Sequence, residues 1–213
     1  MKTLFEKVSI MFKDKDSISY DSTRGIRFEI GASEESVYLK NKNSEDTIAN
    51  PMYISKAFDR AKEIYMNLPQ EPNVLRIDGY FEESSLEEVV KHICKIAKME
   101  FPHEQEIKFF KWDEEDDYLV SQVQLYWDLE KIDFDPDFLL EEIIKADIGG
   151  HSELASSVYF IDTYNSILFK MYDDRGADLV SKDKELIRPI YEKFNSWILD
   201  YDRERIDKIF YSH

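Results

Sequence analysis

Cysteine, glycine and proline are all scarce in this chain of 213 residues, which has one cysteine, six glycines and six prolines. A lone cysteine cannot form an internal disulfide, so nothing in the sequence indicates an oxidising compartment. Cys94 lies among apolar residues of a predicted helix, which is typical of a small core side chain rather than a nucleophile. No apolar run approaches the roughly 18 residues of a membrane span, and the first residues do not form a signal peptide. We therefore expect a cytoplasmic protein that does not bind membranes.

Basic residues are also few, because 28 lysines and arginines stand against 45 aspartates and glutamates, which gives a net charge of −17. A field of this sign repels phosphate backbones and anionic lipids, and it disfavours nucleic-acid binding. It attracts cations and basic proteins instead, so a basic protein is the partner that the charge favours. The alternative is that the charge serves solubility alone.

The sequence motifs of common enzyme classes are missing. The chain has no glycine-rich phosphate loop, no nucleophile elbow, no paired cysteines and no HExxH motif. Its four histidines lack the spacing of metal ligands: His92, His103, His151 and His213. We therefore expect no cofactor, although an enzyme that works with carboxylates needs no contiguous motif.

Apolar residues, in contrast, occur along the whole chain, of which 43% is hydrophobic and 14% aromatic. Such a chain can bury a substantial core, and the even distribution favours a single domain over residues 1–213. The hydrophobic periodicity predicts the order α-β-α-β-α-β-β-α-β-β-β-α. Adjacent strands of a hairpin are antiparallel, so the predicted fold class is α+β, with a mainly antiparallel sheet packed by amphipathic helices.

The predicted helices share an apolar stripe at helical spacing, and the predicted strands alternate or are continuously apolar. Asn50 and Asp135, each followed by a proline, are the predicted N-caps of two helices. Helices are expected near residues 4–12, 54–68, 86–97 and 136–148, with one long helix from about 187. Strands are expected near 26–30, 74–80, 107–112, 118–127, 158–162, 167–172 and 177–180, with a further short strand at 37–40.

The long C-terminal helix carries the densest apolar stripe of the sequence. We expect Phe194, Trp197 and Ile198 to be largely buried against the neighbouring hairpin, because the stripes on both elements are too apolar to face water. Pro189 is expected near the start of this helix, since a proline deeper inside would break the hydrogen-bond ladder.

The hairpin turn Asp173-Asp174-Arg175-Gly176 is the first candidate binding site. Its two carboxylates, with Asp178 nearby, are hard oxygen ligands of the kind that hold a divalent cation. A structural role is the simpler explanation of these residues, because a hairpin turn favours aspartate for Asx-type hydrogen bonds and glycine at a left-handed position. That interpretation predicts a positive φ for Gly176 and leaves Arg175 to pair with a carboxylate of the C-terminal tail.

The charged tail is the second candidate, with Asp200, Asp202 and Arg203 as its candidate binding residues. On a helix, Asp200 and Glu204 share a face, so much of this charge can pair locally on a solvated surface. The acidic run at residues 113–117 is a third candidate, for which a solvated loop is the alternative.

A resemblance to a known family rests on two segments, residues 172–178 with the sequence YDDRGAD and residues 188–207 with RPIYEKFNSWILDYDRERID. They resemble the pattern YDDRGxD followed by RPxYEKxNxWxLDYDRExID of an uncharacterised bacterial family, a domain of unknown function. The similarity is specific over about residues 139–210. It implies a small, soluble bacterial protein and transfers no catalytic residue.

Two functions follow from these observations. The first is a non-catalytic protein-binding module, most concretely an immunity or antitoxin-type protein that neutralises a basic toxin. The second is a metal-dependent hydrolase that uses Asp173, Asp174 and Asp178 with Asp200 or Asp202. A module that docks a basic partner should bring its acidic residues together on one surface, around exposed aromatic anchors.

Overall fold

The computed structural model of the chain describes residues 2–11, 25–41, 46–81, 86–110, 120–148, 154 and 157–211. Its helices are α1 (Leu4–Met11), α2 (Pro51–Met66), α3 (Leu86–Ala97), α4 (Pro136–Asp147), α5 (Lys184–Lys193) and α6 (Asp200–Tyr211). Its strands are β1 (Gly25–Glu29), β2 (Tyr38–Lys40), β3 (Thr47–Ala49), β4 (Val74–Phe81), β5 (Glu104–Phe110), β6 (Val120–Asp128), β7 (Ser157–Asp162), β8 (Ile167–Met171) and β9 (Gly176–Ser181). None of these helices is long and apolar enough to cross a membrane. The acidic run at 113–117 and the residue His151 lie outside the described residues.

Seven of the described strands form one sheet in the order β1-β9-β8-β7-β4-β6-β5, with every neighbouring pair antiparallel. The other two, β2 and β3, pair with each other as a separate hairpin. The predicted α+β class with a mainly antiparallel sheet is thereby confirmed. The short strand β3 was not expected from the sequence, because its three residues lie in a polar stretch.

The two faces of the sheet are covered differently. Helices α2 to α6 pack on the first face, where strand residues such as Ile77, Leu125 and Phe160 join the main core. Helix α1 packs on the second face, where Val74 and Ile161 join a smaller core. Successive residues of a strand point to opposite faces, so the polar residues that alternate with the main core also lie on the second face.

The starts of α2 and α4 are fixed by the two predicted N-caps. The side chain of Asn50 accepts a hydrogen bond from the backbone N–H of Met52 at 3.0 Å. The carboxylate of Asp135 accepts from the N–H groups of Asp137 at 3.1 Å and Phe138 at 3.3 Å. Both predicted caps are confirmed, and each satisfies N–H groups that a helix start leaves without an intrahelical partner.

The C-terminal helix differs from its prediction, because it is two helices, α5 and α6, separated by a 3-10 turn over Asn195–Trp197. Arg203 holds the break. Its guanidinium donates to Asn195 Oδ1 at 2.8 Å and to the carbonyl oxygen of Ile198 at 2.8 Å. Pro189 lies inside α5 rather than near its start, so that prediction is wrong. The apolar periodicity continues across the break, which is why the sequence alone does not reveal it.

The apolar residues at this break are buried unequally. Phe194 and Ile198 are 2% and 3% exposed and belong to the main core, as predicted. Trp197 is partly buried and packs against the main core, so it is less enclosed than Phe194 and Ile198. Its ring stacks on Phe194 with 4.6 Å between the centroids, and the guanidinium carbon of Arg60 lies 5.6 Å from its centroid. The 3-10 turn therefore leaves Trp197 at the edge of the core.

Candidate functional site

The turn between β8 and β9 takes its geometry from Asp173. Carboxylate oxygen Oδ1 of Asp173 accepts hydrogen bonds from the backbone N–H groups of Arg175 and Gly176, both at 2.8 Å. This is the Asx-type bonding that the sequence predicts for a tight turn. One of the two carboxylate oxygens of Asp173 is therefore occupied by the turn itself.

Gly176 does not have the positive φ that the sequence led us to expect, so that prediction is wrong. Gly176 is the first residue of β9 and pairs with Glu29 of β1. A Cβ atom at this position would lie 2.2 Å from the hydroxyl oxygen of Tyr172. The close approach of the Tyr172 ring, which a Cβ atom would have to displace, therefore explains the glycine here, and a left-handed turn does not.

Asp174 connects the turn to α2 and is itself buried, with 3% of its surface exposed. The hydroxyl of Tyr53 donates to Asp174 Oδ2 at 2.5 Å. Burial raises the pKa of the Asp174 carboxyl above its ordinary value, against the lowering effect of the Tyr53 hydrogen bond. The neighbouring carboxyls of Asp147 and Asp173 raise this pKa further. Burial and the bond to Asp174 also raise the pKa of Tyr53.

Arg175 is the exposed residue of the turn, and its guanidinium lies among three carboxylates. Its nitrogens are 3.0 Å from Asp173, 3.8 Å from Asp147 of α4 and 3.9 Å from Asp174. It therefore pairs with its own turn and with α4, and not with the tail as the sequence suggested. Three carboxylates around one guanidinium leave this cluster with an excess of acidic groups. Asp147 was not singled out in the sequence, because nothing in its helical context distinguishes it.

Two more of the predicted site residues, Asp178 and Asp202, are buried and interact with other arginines. Asp178 on β9 accepts a hydrogen bond from Arg27 Nε at 3.1 Å. Burial raises the pKa of Asp178, and the bond to Arg27 opposes that rise. Asp202, near the start of α6, is 2% exposed and lies 3.4 Å from an Arg205 nitrogen. Its second carboxylate oxygen has no hydrogen-bond partner among the described residues.

The remaining two, Asp200 and Arg203, belong to the junction of α5 and α6. The Asp200 side chain is fully exposed and lies 3.6 Å from Arg203 Nε. The structure thus brings Asp173, Asp174 and Arg175 together. In the described part of the chain, no hydrogen bond or ion pair joins this turn to the other four predicted residues: Asp178, Asp200, Asp202 and Arg203.

Metal binding by the turn gains no support from this geometry. Within the described ranges, no group of three or more His, Cys, Asp or Glu side chains is placed to hold a metal ion. Asp173 uses one oxygen for the turn, Asp174 is bonded by Tyr53, and Asp178 faces Arg27. Among the described residues, Asp173, Asp174 and Asp178 therefore do not form one metal-binding group.

The second face of the sheet carries a buried charged network that was not predicted from the sequence. Arg76 of β4 binds Asp78 through two hydrogen bonds of 2.6 and 2.5 Å, and its guanidinium carbon lies 4.5 Å from the centroid of the Tyr159 ring. Gln122 of β6 donates to Asp78 at 3.3 Å. Polar residues at positions 76 and 78 of a predicted strand share one face, and that spacing is the pattern that could have revealed them. With both charges hydrogen-bonded, the network joins β4 to β6.

A cleft of about 270 Å³ lies between the C-terminal end of α4 and the ends of β4, β7 and β8. Two tyrosines and one carboxylate give it its chemical character: Tyr80, Tyr172 and Asp147. Among the described residues, the cleft is also lined by Ile143, Ala146, Leu154 and Ser157. Because Asp147 also contacts Arg175, the cleft adjoins the turn.

The β2–β3 hairpin presents apolar side chains to solvent near the same place. Leu39 and Ile48 are 41% and 48% exposed and lie directly opposite each other. On the other side of the hairpin, the hydroxyl of Tyr38 donates to the carbonyl of Ile148 at 3.1 Å, next to Asp147. We call the hairpin, Asp147 and the turn at 173–176 together the hairpin–turn surface.

Comparisons with known proteins give a family and no activity. The family model described as "Domain of unknown function (DUF3885)" matches residues 4–202. Over 57 residues the chain is 39% identical to the uncharacterized protein YnaE of Bacillus subtilis (strain 168), and this match spans 27% of the length of each protein. No solved structure matches the chain. The resemblance inferred from the C-terminal segments is confirmed, and the chain belongs to the DUF3885 family of domains of unknown function.

Proposed function

We propose that this chain is a non-catalytic protein-binding module, most concretely of the immunity or antitoxin type, that binds a basic protein through the hairpin–turn surface. The observation that carries the proposal is the exposed apolar pair Leu39 and Ile48 on a hairpin that bonds through Tyr38 to Ile148, the neighbour of Asp147 in the carboxylate cluster. A cytoplasmic location belongs to the same proposal, because a single cysteine provides no internal disulfide.

The apolar part of the surface is a two-residue anchor on a short hairpin. Leu39 and Ile48 are opposed in an antiparallel pair, so both side chains lie on the same face. Every residue of β2 is exposed, while Ala49 on the inner side of β3 packs against the main core. One face of the hairpin therefore packs against the core through Ala49, and the opposite face exposes Leu39 and Ile48 to solvent. A fixed apolar group bordered by charge is typical of the centre of a protein interface.

The charged part of the surface supplies orientation and speed of association. The turn cluster has three carboxylates for one guanidinium, and the whole chain has a net charge of −17. Such a field steers a basic partner towards the surface and disfavours acidic competitors. Exposed charges are screened beyond roughly 8 Å at physiological salt, so the association rate should fall as salt is added.

The test is capture of the partner from a lysate of the host bacterium by the immobilised chain and by two variants. Leu39→Ser/Ile48→Ser removes the apolar anchor, and Asp147→Lys reverses one charge of the turn cluster. We expect the wild-type chain to retain a basic protein that salt releases, and both variants to lose most of it. Thermal unfolding of each variant establishes that it is folded, which the exposure of all three residues leads us to expect.

Matched controls make the same chemical changes far from the hairpin–turn surface. Ile107→Ser/Phe109→Ser removes an exposed apolar pair from β5, at the sheet edge opposite β1. Glu192→Lys reverses an exposed charge on α5, next to Lys193, which binds Asn67 just beyond the C-terminal end of α2. Both controls should capture the partner like the wild type. Retention of the same protein by all variants, or retention of an acidic protein, would disprove the proposal.

A further inference from the structure

The cleft beside the turn has the size of a site for one side chain. Its volume of about 270 Å³ is below the roughly 300–1,000 Å³ of pockets that hold whole small molecules. It is bounded by α4 on one side and by the ends of three sheet strands on the other. Its position next to Asp147 places it within the hairpin–turn surface.

The lining of this cleft suits a long side chain with a cationic end. Ile143, Ala146 and Leu154 line the cleft, and the partly exposed Ala146 on α4 offers apolar surface to an aliphatic stem. Tyr80, which is 38% exposed, offers an aromatic face. Tyr172 also lines the cleft, 5.7 Å from the Arg27 guanidinium carbon and 5.5 Å from Lys170 Nζ, which shows that a tyrosine ring at this place interacts with cations.

The negative charge of Asp147 at the opening of the cleft also favours a cationic side chain. Asp147 is half exposed and lies 3.8 Å from Arg175, which it shares with Asp173 and Asp174. Burial raises the pKa of Asp174, and the neighbouring carboxyls of Asp147 and Asp173 raise it further, because the like charges repel one another. An incoming cation would relieve this repulsion.

We propose that the cleft is the acceptor site for an arginine side chain of the basic partner, an inference that rests on the proposed function. The guanidinium stacks on Tyr80 and pairs with Asp147, and its aliphatic stem lies along the α4 wall. Arginine fits better than lysine, because a planar guanidinium stacks on a ring and binds a carboxylate with two parallel hydrogen bonds.

The test uses the whole chain and a small probe, the N-acetyl amide of arginine, followed by chemical-shift changes of the backbone amides in a titration. The matched probe is the N-acetyl amide of citrulline, which has nearly the same shape and no charge. We expect the arginine probe to shift amide signals around Tyr80, Asp147 and Tyr172, with an affinity at least about tenfold higher than that of citrulline.

Three variants in the site and one control variant separate the parts of the site. Asp147→Asn should weaken arginine binding about tenfold, while Glu192→Gln on α5 should leave it unchanged. Tyr80→Leu should weaken binding and Tyr80→Phe should retain it, because the phenylalanine ring keeps the aromatic face. The Tyr80→Phe variant also controls for loss of the hydrogen bond that Tyr80 receives from Gln122 at 3.0 Å.

The outcomes distinguish this inference from the proposed function. Equal affinity for arginine and citrulline, or unchanged binding by Asp147→Asn, would overturn the arginine site. Partner capture that depends on Leu39 and Ile48 would still support the proposed function in that case. If the Leu39→Ser/Ile48→Ser and Asp147→Lys variants both captured the partner as well as the wild-type chain does, the proposed function itself would be overturned, whatever the cleft binds.

Discussion

At the scale of single residues, Gly176 permits the sharpest test. If the Tyr172 ring explains the glycine, the effects of substitutions at positions 172 and 176 should be coupled, whereas a backbone requirement predicts no coupling. Gly176→Ala would place a Cβ atom 2.2 Å from the hydroxyl oxygen of Tyr172. The ring cannot move freely, since it is half-buried beside Arg27 and Lys170. We expect Gly176→Ala to lower the free energy of unfolding by about 1–3 kcal/mol, as overpacking does. Urea denaturation measures this loss.

The control for this prediction is the same substitution in a Tyr172→Ala background. If the ring causes the cost, Gly176→Ala should be nearly neutral there, and the double-mutant cycle should show a coupling of about 1–3 kcal/mol. A cost that is equal in both backgrounds would contradict the ring contact and restore a backbone explanation. The residue type was predictable from the sequence, but its reason was not, because the contact depends on the path of Tyr172 after β8.

Asp174 shows the same limit at another residue. Its position in a tight turn was visible in the sequence, and the turn itself was confirmed by the bonds of Asp173. Its burial was not visible, because the partner that covers it, Tyr53, lies 121 positions away in the chain. Local hydrogen-bonding rules describe a turn, whereas long-range packing decides which of its carboxylates remains at the surface.

At the scale of elements, the junction of α5 and α6 determines which aromatic residue contributes most to stability. Phe194 is 2% exposed and also contacts Phe28 of β1, so Phe194→Ala should cost about 3–5 kcal/mol. Trp197 lies at the core edge, and Trp197→Ala should cost less, roughly 1–2 kcal/mol. Chemical denaturation of both variants measures the two losses in the free energy of unfolding and shows which is larger. A larger loss for Trp197→Ala would show that the tryptophan belongs to the core, as the sequence pattern suggested.

The elements themselves were predicted well where local signals agree. Helices α2 and α4 begin at their caps, Asn50 and Asp135, because the capping residue, the proline and the apolar stripe all indicate the same start. The break before α6 was missed, because it depends on hydrogen bonds from Arg203, which lies beyond the break. The order of strands in the sheet could not be predicted either, because β4 pairs with β6 and β7, which lie far from it in the sequence.

The candidate surface was recognised only in part from the sequence. The turn residues Asp173 and Arg175 were singled out, and they do lie together. Asp147, Leu39 and Ile48 were not, because a carboxylate at a helix end and two apolar residues in a polar stretch are common in ordinary sequences. They become a surface only when the hairpin packs against α4, as the bond from Tyr38 to Ile148 shows.

At the scale of the whole molecule, we expect residues 1–213 to unfold as one cooperative unit. The N-terminal strand β1 pairs with β9 near the other end of the chain, and the main core contains residues from α2 through α6. The first helix is tied to the far edge of the sheet, because Glu104 accepts hydrogen bonds from the N–H groups of Leu4 and Phe5 at 2.8 and 3.0 Å. Few contacts could be lost without disturbing the sheet.

Scanning calorimetry tests this expectation directly. We predict one transition, with a calorimetric enthalpy equal to the van't Hoff enthalpy. At about 0.7 kcal/mol per residue near 60 °C, a single unit of this size should absorb roughly 150 kcal/mol. Far-ultraviolet circular dichroism and tryptophan fluorescence should report the same midpoint, since Trp127 is buried in β6 and Trp197 lies beside α5. Two resolved transitions, or midpoints that differ between these probes, would divide the chain into independent parts despite the shared sheet.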